Sequence, residues 1–504
     1  MTTSTADFLL ADLPAKGARH WPGQAAFIQD GQVTTYAEFD DRVGRLAALL
    51  AAGDAGNGSR VGIVASNCAA FYELFFACAR IGAVMVPINF RLSPREVEYQ
   101  LADAGMTHAF IAPASTELAE RSGLSKLTTW ELGAAYEAAL ARSGPSAARL
   151  AVTGQTPLVQ MYTSGTTGFA KGCLHSHAGW LASAVNFALG QRLAPRSVVY
   201  ATPPLFHAFG FGLGLSHLVT GGTLLIDDIG PNDTYWAAVD KYQVNTAPYP
   251  RGLPPEERDR PDLRTVYGLA GGFKPEMGQF LQHVLPHADY AGVYGQTEAT
   301  NIVLVSNMAE ETAHPGTLGQ PLPGVDAMII RPDGSRTEPG ETGELVLRGA
   351  QLSLGYWNNP QATADLFAGG WLHTGDLARA DAEGLVYFVD RAKDMIKSGG
   401  ENVYSAEVER VLLAYPAVAD ATVVGVPDPR WTEAVKAVVV LRDGAQASAA
   451  DIDAFCLENI AAYKRPRWYE FTDRLPRNVL GKVLKATLRD QHDPAVSTRI
   501  EERS

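Results

Sequence analysis

The sequence has few cysteines and no long apolar run. Its four cysteines, Cys68, Cys78, Cys173 and Cys456, form no C-x-x-C pair and no spacing typical of metal ligands. Neither a zinc site nor a disulfide framework is therefore expected, and reduced thiols fit a reducing cytoplasm. No stretch reaches the roughly 18 apolar residues of a membrane-spanning helix, and Met1–Leu13 lacks the basic and apolar regions of a secretion signal. We expect a cytoplasmic protein without stable membrane insertion.

Basic residues are also in deficit. The 42 Lys and Arg residues are outnumbered by 55 Asp and Glu residues, which gives a formal net charge of −13. Nucleic-acid binding requires a basic surface, so we expect no nucleic-acid partner, although local positive charge still permits an anionic small substrate. A chain of 504 residues exceeds what one core supports, so two or more domains are expected. The sequence leaves the oligomeric state, including a homodimer, open.

Residues 60–113 alternate between strand and helix patterns. The predicted elements, in order, are strand Arg60–Ser66, helix Ala69–Ile81, strand Val84–Asn89, helix Ser93–Asp103 and strand His108–Pro113. Ser93 is a predicted N-cap, with Pro94 at the first helical position and Glu96 in the first turn. This alternation indicates a parallel sheet of the α/β class.

The pattern changes towards the C-terminus. Short strands separated by Gly and Pro turns around Gly334–Gly349 indicate a small β-rich subdomain. After Asp390, a compact α+β set is predicted, consisting of helix Ser405–Leu413, strand Ala421–Val426, strand Ala434–Leu441 and helix Ala449–Asn459. We therefore place a domain boundary at Arg391–Lys393, with residues 1–391 in a large domain and residues 392–504 in a small one.

The strongest chemical signal is the segment Met161–Gly172, MYTSGTTGFAKG. Its hydroxyl and glycine residues are Thr163, Ser164, Gly165, Thr166, Thr167 and Gly168, and Lys171 follows them. Such a loop offers unobstructed backbone N–H groups and hydroxyl donors to phosphate oxygens. The spacing differs from the G-x-x-x-x-G-K-[ST] loop. A flexible surface turn is the alternative, but the preceding apolar strand Leu158–Tyr162 favours a phosphate-binding role.

This loop resembles the phosphate-binding signature of the adenylate-forming superfamily, which includes acyl-CoA synthetases, firefly luciferase and the adenylation domains of peptide synthetases. Further matches follow in the order of that family: Pro204–His207 (PLFH), Tyr294–Glu298 (YGQTE), Thr374–Leu377 (TGDL), Asp390–Glu409 and Leu475–Lys485 (LPRNVLGKVLK). The resemblance extends from about residue 30 to residue 488. The string SGGEN-x-Y-x-x-E-V-E is most similar to acyl-CoA synthetases, although Lys397 replaces an apolar residue and Ser405 replaces the usual proline.

The resemblance implies both a fold and an activity. The implied fold is α/β, with a large N-terminal domain of mixed and parallel sheets, flanking helices and a small β-barrel subdomain, and with a smaller, mobile α+β C-terminal domain. The implied activity is that of an ATP-dependent carboxylate–CoA ligase. Such an enzyme forms an acyl-AMP with release of pyrophosphate and then an acyl-CoA with release of AMP, and it uses ATP, Mg²⁺ and coenzyme A.

The residues implied for the first step have the chemistry that this step needs. A carboxylate and a phosphate are both anions, so positive charge near the reacting atoms stabilises the transition state. Lys482 matches the catalytic lysine of the family, and Thr163 the start of the catalytic loop. Glu298 matches the magnesium ligand, since a hard cation prefers carboxylate oxygen. The remaining nucleotide-binding matches are Gly271, Gly272, Tyr294, Gly295, Thr297, Asp376 and Arg391, of which the last two would hold the ribose hydroxyls.

The acyl site is less defined. By resemblance, His207 is a catalytic gate residue beside the acyl pocket. The pocket is expected to be lined by Trp180, His207, Phe209, Arg251, Phe273, Val293 and Asn301. These segments mix aromatic residues and glycines with few charges, which fits an apolar or aromatic acid. Tyr249–Leu253 is short and Pro-rich where fatty-acid enzymes of the family carry a longer apolar helix, which favours an aromatic or a short to medium acid over a long chain. Arg251 could instead pair with a second carboxylate, although a solvated loop residue is the favoured interpretation. His175 and His177 match no role in the family and are interpreted as structural or surface residues.

The second step depends on the small domain. In the family this domain rotates between the two steps, and Lys393 matches the hinge. Lys397, Gly399 and Gly400 match the segment that approaches the pantetheine of coenzyme A. Trp431 and Arg465 match possible coenzyme A contacts, Arg465 through a phosphate.

Two alternatives stay open. The chain could adenylate an acid but transfer it to an amine or to a carrier-protein thiol. It could also be a non-catalytic relative that binds nucleotide or acyl ligands, although Lys482, Glu298 and Asp376 are all present. A simple ATPase or kinase is disfavoured because neither a P-loop nor the kinase motifs occur.

Overall fold

The structure is a computed structural model that describes residues 9–145, 152–163, 170–226, 232–248, 262–269, 283, 285–398, 401–460, 462–478 and 481–500. The chain forms two compact units. The first contains the chain up to Met328 with Val346–Thr374 and Gly384–Tyr387, and the second contains Ile329–Leu345, Gly375–Glu383 and the chain from Phe388 onward. A large unit of sheets and helices and a smaller α+β unit confirm the predicted fold class. The exact boundary at Arg391–Lys393 stays a prediction.

The parallel α/β segment forms as predicted. Strand Arg60–Val64 pairs in parallel with Val84–Ile88 on one side and with Met106–Ile111 on the other. At the start of the second crossover helix, the Glu96 carboxylate accepts a 2.8 Å hydrogen bond from the Ser93 amide, and Ser93 Oγ accepts one from the Glu96 amide. This capping box satisfies two N–H groups that the helix itself cannot pair.

This segment belongs to a sheet whose edge carries the Gly/Thr-rich loop. From that edge, the strands are Gly355–Tyr356, Lys171–Ser176, Pro157–Thr163, Val84–Ile88, Arg60–Val64, Met106–Ile111 and Thr128–Glu131. The first three are antiparallel to one another, and Pro157–Thr163 is parallel to Val84–Ile88. The two strands that flank the Gly/Thr-rich loop therefore lie where the antiparallel edge meets the parallel centre of the sheet.

A second sheet in the first unit positions the YGQTE segment. Its strands, in spatial order, are Thr317–Pro321, Ile302–Asn307, Asp289–Gly295, Thr265–Leu269, Thr246–Pro248, Val198–Tyr200, Thr223–Leu225, Ala25–Gln29 and Gln32–Thr35. Asp289–Gly295 runs parallel to Thr265–Leu269 and antiparallel to Ile302–Asn307. Ligands of α/β sheets bind outside the carboxyl ends of parallel strands, and residues 294–298 follow such an end.

The helices of the first unit cover both sheets. They are Leu13–His20, Tyr36–Ala52, Ala70–Ile81, Pro94–Ala104, Thr116–Ser122, Ala134–Arg142, His177–Gly190, Ala208–Val219, Asn232–Lys241, Met308–Ala313 and Pro360–Leu366. The short strands expected around Gly334–Gly349 are present as Val325–Ile330 and Gly343–Gly349, and are followed by Leu372–Ala380 and Val386–Arg391. Among the helices of the described residues, none has the length and apolar character needed to span a bilayer.

The second unit has its own sheet and core. Its strands Ile396–Ser398, Glu401–Val403, Val418–Asp428, Thr432–Leu441, Trp468–Phe471 and Thr498–Arg499 are accompanied by helices Ser405–Ala414, Ala449–Asn459 and Lys485–Asp490. The long hairpin of Val418–Asp428 and Thr432–Leu441 has a buried face that packs against the first two helices, for example through Val423, Leu412 and Cys456. All four elements predicted between residues 405 and 459 are confirmed, each within a few residues of its expected bounds.

Candidate active site

The two ends of the Gly/Thr-rich loop lie side by side. Strand Pro157–Thr163 leads into the loop and strand Lys171–Ser176 leads out of it, and Thr163 is paired with Lys171 across the two strands. Both residues are partly exposed. The structure thus brings together two of the predicted nucleotide-binding residues. The others in this loop, Ser164, Gly165, Thr166, Thr167 and Gly168, lie outside the described residues.

Glu298 lies in the short turn Thr297–Ala299 and is held by a tyrosine. The Tyr356 hydroxyl donates a 2.7 Å hydrogen bond to Glu298 Oε1. The ammonium of Lys171 lies 4.8 Å from the centroid of the Tyr356 ring. Burial and the Glu298 carboxylate raise the pKa of Tyr356 well above its ordinary value, so the phenol stays protonated and acts as a donor. A cation, a phenol and a carboxylate therefore form a continuous chain of contacts.

The surroundings of Glu298 fit a divalent cation that is shared with phosphate. Protein-bound Mg²⁺ is commonly held by one or two carboxylates together with phosphate oxygens and waters. Within the described residues no group of three or more His, Cys, Asp and Glu side chains could hold a metal by itself. Tyr356 donates to Oε1 of Glu298, and no described residue donates to Oε2. Glu298 would hold the cation, which, when bound, neutralises charge on the phosphates.

The strand that leads to this turn packs closely against the returning strand. A Cβ on Gly295 would lie 2.2 Å from the Asn301 carbonyl oxygen, so only glycine fits this position. Tyr294 and Thr297 are partly exposed on either side of it. Packing accounts for Gly295, and its predicted contact with nucleotide stays a prediction. Gly271 and Gly272 lie outside the described residues.

Thr300 has a strained backbone immediately after this turn. Its φ of +69° is rare for a β-branched residue, and the residue is fully buried. Its hydroxyl lies 3.1 Å from Nδ1 of His175, which is also fully buried. Burial lowers the pKa of His175 to about 3, so the ring is neutral. Since strained residues cluster at functional sites, this contact marks the turn that carries Glu298.

The residues predicted for the acyl pocket differ in environment. Trp180 is fully buried, and its ring packs edge-on against Phe75 and Phe211, so the structure places it in the core. Val293 is likewise buried, whereas Phe209 is partly exposed on the Ala208–Val219 helix. Arg251 and Phe273 lie outside the described residues.

His207 and Asn301 carry polar atoms that the described residues leave unpaired. Burial, together with nearby Arg91, lowers the pKa of His207 to about 4, and its Nε2 is buried without a described partner. The Asn301 side chain is 2% exposed, and neither its oxygen nor its nitrogen has a described partner. The absence of a side chain at Gly212 makes room for it, because a Cβ there would lie 2.0 Å from Asn301 Nδ2. Unpaired buried amides are costly, so this arrangement fits a polar group on a ligand.

In the second unit, three of the predicted site residues lie together. Arg391 Nε is 2.6 Å from Oδ1 of Asp376, whose side chain is buried. Partial burial and the charge of Arg391 lower the pKa of Lys482, while the carboxylates of Asp394 and Asp376 oppose this shift. The structure therefore brings the lysine close to the pair that was predicted to hold ribose.

Lys482 is presented by a closed turn. Its amide donates a 2.9 Å hydrogen bond to Asn478 Oδ1, and its carbonyl accepts a 2.8 Å bond from the Asn478 amide. Gly481 has a φ of +80°, a conformation that favours glycine. Asn478 thus orients the backbone of the predicted catalytic lysine. Sequence reasoning missed this residue, although the spacing N-x-x-G-K was visible.

The predicted hinge and pantetheine residues follow Arg391. Lys393 is exposed in a turn in which the Asp394 amide donates to the Arg391 carbonyl. Lys397 is exposed on strand Ile396–Ser398, and its amide donates a 2.8 Å hydrogen bond to Glu433. Gly399 and Gly400 lie outside the described residues. The roles of Lys393 and Lys397 stay predictions.

The two predicted coenzyme A contacts have different surroundings. The centroid of the Trp431 ring lies 4.8 Å from the guanidinium of Arg430 and 5.1 Å from that of Arg467. Arg465 is instead buried and forms an ion pair with Asp453. The ion pair with Asp453 accounts for the buried charge of Arg465, and its predicted contact with a coenzyme A phosphate stays a prediction.

Comparison with known proteins places this chain and its fold among the adenylate-forming enzymes. The model of the AMP-binding enzyme family matches residues 15–357, and the model of the AMP-binding enzyme C-terminal domain matches residues 407–482. The chain belongs to the AMP-binding enzyme family.

Individual relatives match over nearly the whole chain. A feruloyl-CoA synthase of an Amycolatopsis species is 37% identical over 495 residues, which are 95% of this chain and 98% of the relative. The fatty acid–[acyl-carrier-protein] ligase ScoC of Streptomyces coeruleorubidus is 33% identical over 509 residues, 94% of each chain. The structure of o-succinylbenzoate CoA synthetase (MenE) from Bacillus subtilis with its acyl-adenylate intermediate has a TM-score of 0.86 and 28% identity, over 95% of this chain and 98% of that one. The same enzyme is known in complex with ATP and a magnesium ion.

This chain is an AMP-forming acid–thiol ligase that uses ATP, Mg²⁺ and coenzyme A. It converts a carboxylic acid to an acyl-adenylate and then to an acyl-CoA thioester. The predicted family, activity and cofactors are confirmed.

Proposed function

We propose that the acid is aromatic and carries a hydrogen-bonding substituent on its ring, as ferulate does. The observation that carries this proposal is the buried amide of Asn301, which has no partner among the described residues. It follows Thr300 after the Glu298 turn and contacts Gly212 on the helix that also bears Phe209. The identity of 37% with a feruloyl-CoA synthase supports the same class of acid.

A polar ring substituent explains why such an amide is kept in an apolar environment. An unpaired amide costs about 1–3 kcal/mol in a protein interior, which a ligand hydroxyl could offset. Phe209 and Gly212 are three residues apart and share one face of their helix, so an aromatic ring has an apolar surface beside the amide. A fatty acid would leave the amide unpaired.

The first step requires positive charge at the reacting carboxylate and α-phosphate. In this proposal Lys482 supplies that charge, Glu298 holds Mg²⁺, and Thr163 and Lys171 bind phosphate oxygens at the ends of their loop. Asp376 and Arg391 bind the ribose hydroxyls. Their charges are complementary to a nucleotide triphosphate and its cation, and preorganised charge of this kind acts most strongly as negative charge develops.

The second step requires coenzyme A to reach the acyl carbonyl as AMP leaves. We infer that Trp431 contacts coenzyme A, supported by the two guanidinium groups beside its ring, which suit a phosphorylated nucleotide. Lys397 would approach the pantetheine, and Lys393 would be the hinge. Neutral His207 would gate the acyl pocket without adding charge to it.

A cytoplasmic location is part of this proposal. The four cysteines are free, and burial raises the pKa of Cys78, Cys173 and Cys456, which keeps these thiols protonated and unreactive. Such thiols are stable in a reducing compartment.

The test of the proposal is a comparison of an aromatic acid with polar ring substituents, the same acid without them, and an aliphatic acid. Pyrophosphate release and acyl-CoA formation are measured with ferulate, cinnamate and a long-chain fatty acid, with and without coenzyme A. We expect kcat/KM to be at least about ten-fold higher for ferulate than for cinnamate, because a site that binds a hydroxyl rejects the analogue that lacks it. The Asn301→Leu variant should lose most of that ratio while it still accepts cinnamate.

Two results would count against the proposal. A preference for the fatty acid in the wild-type chain would place the acid in another class. An unchanged ratio of ferulate to cinnamate in Asn301→Leu would remove the role of Asn301. The same assay can offer a carrier-protein thiol as the acyl acceptor in place of coenzyme A. Transfer to that thiol would match the acceptor in the name of ScoC.

A further inference from the structure

A two-residue strand connects strand Lys171–Ser176, which follows the Gly/Thr-rich loop, to the turn that carries Glu298. Gly355–Tyr356 pairs antiparallel with Lys171–Ser176 at the edge of the sheet. Just before it, the Ser353 amide donates a 2.9 Å hydrogen bond to the Glu298 carbonyl oxygen. The backbone of this segment is therefore attached both to the strand that leaves the loop and to the turn that carries the carboxylate.

The side chain of Tyr356 makes the same connection a second time. Its hydroxyl donates to Glu298 Oε1 at 2.7 Å, and its ring face lies 4.8 Å from the ammonium of Lys171. The ring is rigid, with only two side-chain torsions, and its backbone is fixed in the sheet. The separation and orientation of the two charged groups are thus set through one residue.

The neighbouring tryptophan fixes the other end of this segment. The Trp357 amide donates a 2.7 Å hydrogen bond to the Gly172 carbonyl oxygen, and its indole N–H donates to the Asp103 carbonyl oxygen at 3.0 Å. The guanidinium of Arg60 lies 3.9 Å from its ring centroid. These contacts fix the residue that follows Tyr356 in the chain, so the phenol has a fixed support.

We propose that Tyr356 is a positioning residue that holds Lys171 and Glu298 in the arrangement in which both engage the Mg²⁺-bound triphosphate of ATP. This inference rests on the proposed roles of Lys171 and Glu298. The hydroxyl fixes one carboxylate oxygen and leaves the other directed to the cation. The ring face holds the lysine close to the phosphates. A carboxylate partner would neutralise the charge of the lysine, whereas the ring leaves that charge available.

The two contacts predict separable effects. Loss of the hydroxyl frees the carboxylate, and groups that orient a metal ligand typically change metal affinity by about 10- to 100-fold. Loss of the ring also removes the cation–π contact, which contributes to the placement of Lys171. In Tyr356→Phe, a higher Mg²⁺ concentration should therefore be needed for ATP binding, while ATP affinity at saturating Mg²⁺ is kept. Tyr356→Leu should show the same increased need for Mg²⁺ and should also bind ATP more weakly at saturating Mg²⁺.

The experiment measures ATP binding to the full chain by calorimetry over a series of Mg²⁺ concentrations, without an acid substrate. We expect the half-saturating Mg²⁺ concentration to rise roughly 10-fold or more in Tyr356→Phe, with ATP affinity at saturating Mg²⁺ within about two-fold of the wild-type chain. Tyr356→Leu should show the same rise and a further loss of ATP affinity.

The matched control is Tyr136→Phe. The Tyr136 hydroxyl donates to the Glu73 carboxylate at 2.6 Å in a buried pair outside the candidate site, so its loss is a comparable change. This variant should keep the wild-type Mg²⁺ dependence. If Tyr356→Phe is folded by circular dichroism and also keeps that dependence, the inference is wrong. If Glu298→Gln also keeps the wild-type Mg²⁺ dependence, the proposed metal role of Glu298 is wrong as well. A change in Glu298→Gln but not in Tyr356→Phe would overturn only the inference about Tyr356.

Discussion

At the scale of single residues, the first unit contains several histidines that are kept neutral. Burial lowers the pKa of His175 to about 3 and the pKa values of His177, His207 and His217 to about 4. His217 lies in the Ala208–Val219 helix, where its Nδ1 is 2.8 Å from the Leu213 carbonyl oxygen. An unfolded histidine has a pKa near 6.5, so these residues bind protons more readily when the chain unfolds.

This difference predicts loss of stability in mild acid. Because the pKa is lower in the folded state, the stabilisation is complete above about pH 6.5 and is lost as the pH falls towards about 4. For His217 alone, the free energy of unfolding should fall by about 2 kcal/mol between pH 7.5 and pH 5. The side chain in His217→Asn cannot bind a proton in this pH range, so the free energy of unfolding of this variant should fall by correspondingly less. The measurement is urea denaturation of both chains at the two pH values, and an identical pH dependence would contradict the assignment.

At the scale of elements, the helix Ser405–Ala414 begins in an unusual way. Ser405 occupies the position where the family resemblance leads one to expect proline, and it is fully buried. Its hydroxyl donates to Asp390 Oδ2 at 2.9 Å and accepts a 2.6 Å hydrogen bond from Lys485, while its amide also donates to Asp390. The helix start is therefore linked to the segment before Arg391 and to the helix after Lys482.

Substitution of Ser405 should destabilise the second unit. Ser405→Ala removes a donor from the buried Asp390 carboxylate, which should lower the free energy of unfolding by about 1–3 kcal/mol. Ser405→Pro also removes the amide donor and should cost more, although proline is otherwise favourable at the first position of a helix. The control is Ser448→Ala, which loses only an exposed N-cap of the helix Ala449–Asn459 and should cost about 1 kcal/mol. Urea denaturation ranks the three variants. A Ser405→Pro chain as stable as the wild type would refute this reading.

Some helices and strands could be predicted from the sequence alone, and others could not. Helix Ala449–Asn459 and the capping box of Ser93 follow from local patterns, and both are present as predicted. The strand Gly355–Tyr356 could not be predicted, since two residues carry no periodicity and their partner strand begins near Lys171. Trp180 is fully buried, and its place in the acyl pocket stays a prediction, because the same apolar helix pattern fits a core position and a pocket wall.

The candidate site was predictable to a similar extent. Of the residues that the motifs single out, the structure pairs Thr163 with Lys171 and Arg391 with Asp376, and the latter pair acts electrostatically on Lys482. Their roles stay predictions. Tyr356 could not be found from the sequence, because it contacts Glu298 from a distant part of the chain that no local pattern reveals. Asn478 was missed although its contact with Lys482 is local.

At the scale of the whole molecule, the residues proposed for the first step belong to both units. Glu298 and Lys171 belong to the first, and Lys482 and Asp376 belong to the second. Such a division suits an enzyme that must perform adenylation and thioester formation in turn, since the small domain can supply different residues for each step. The central claim of the account is that Lys482 supplies the positive charge for the first of these steps.

That claim is tested most directly by the rate of pyrophosphate release, measured with ATP, Mg²⁺ and the preferred acid in the absence of coenzyme A. The variant Lys482→Ala is compared with Lys126→Ala, which removes an exposed lysine outside the candidate site. We predict a loss of about 10²-fold or more for Lys482→Ala, the scale of one preorganised electrostatic group, and no loss for Lys126→Ala. Release by Lys482→Ala within about two-fold of the wild-type rate would contradict the account.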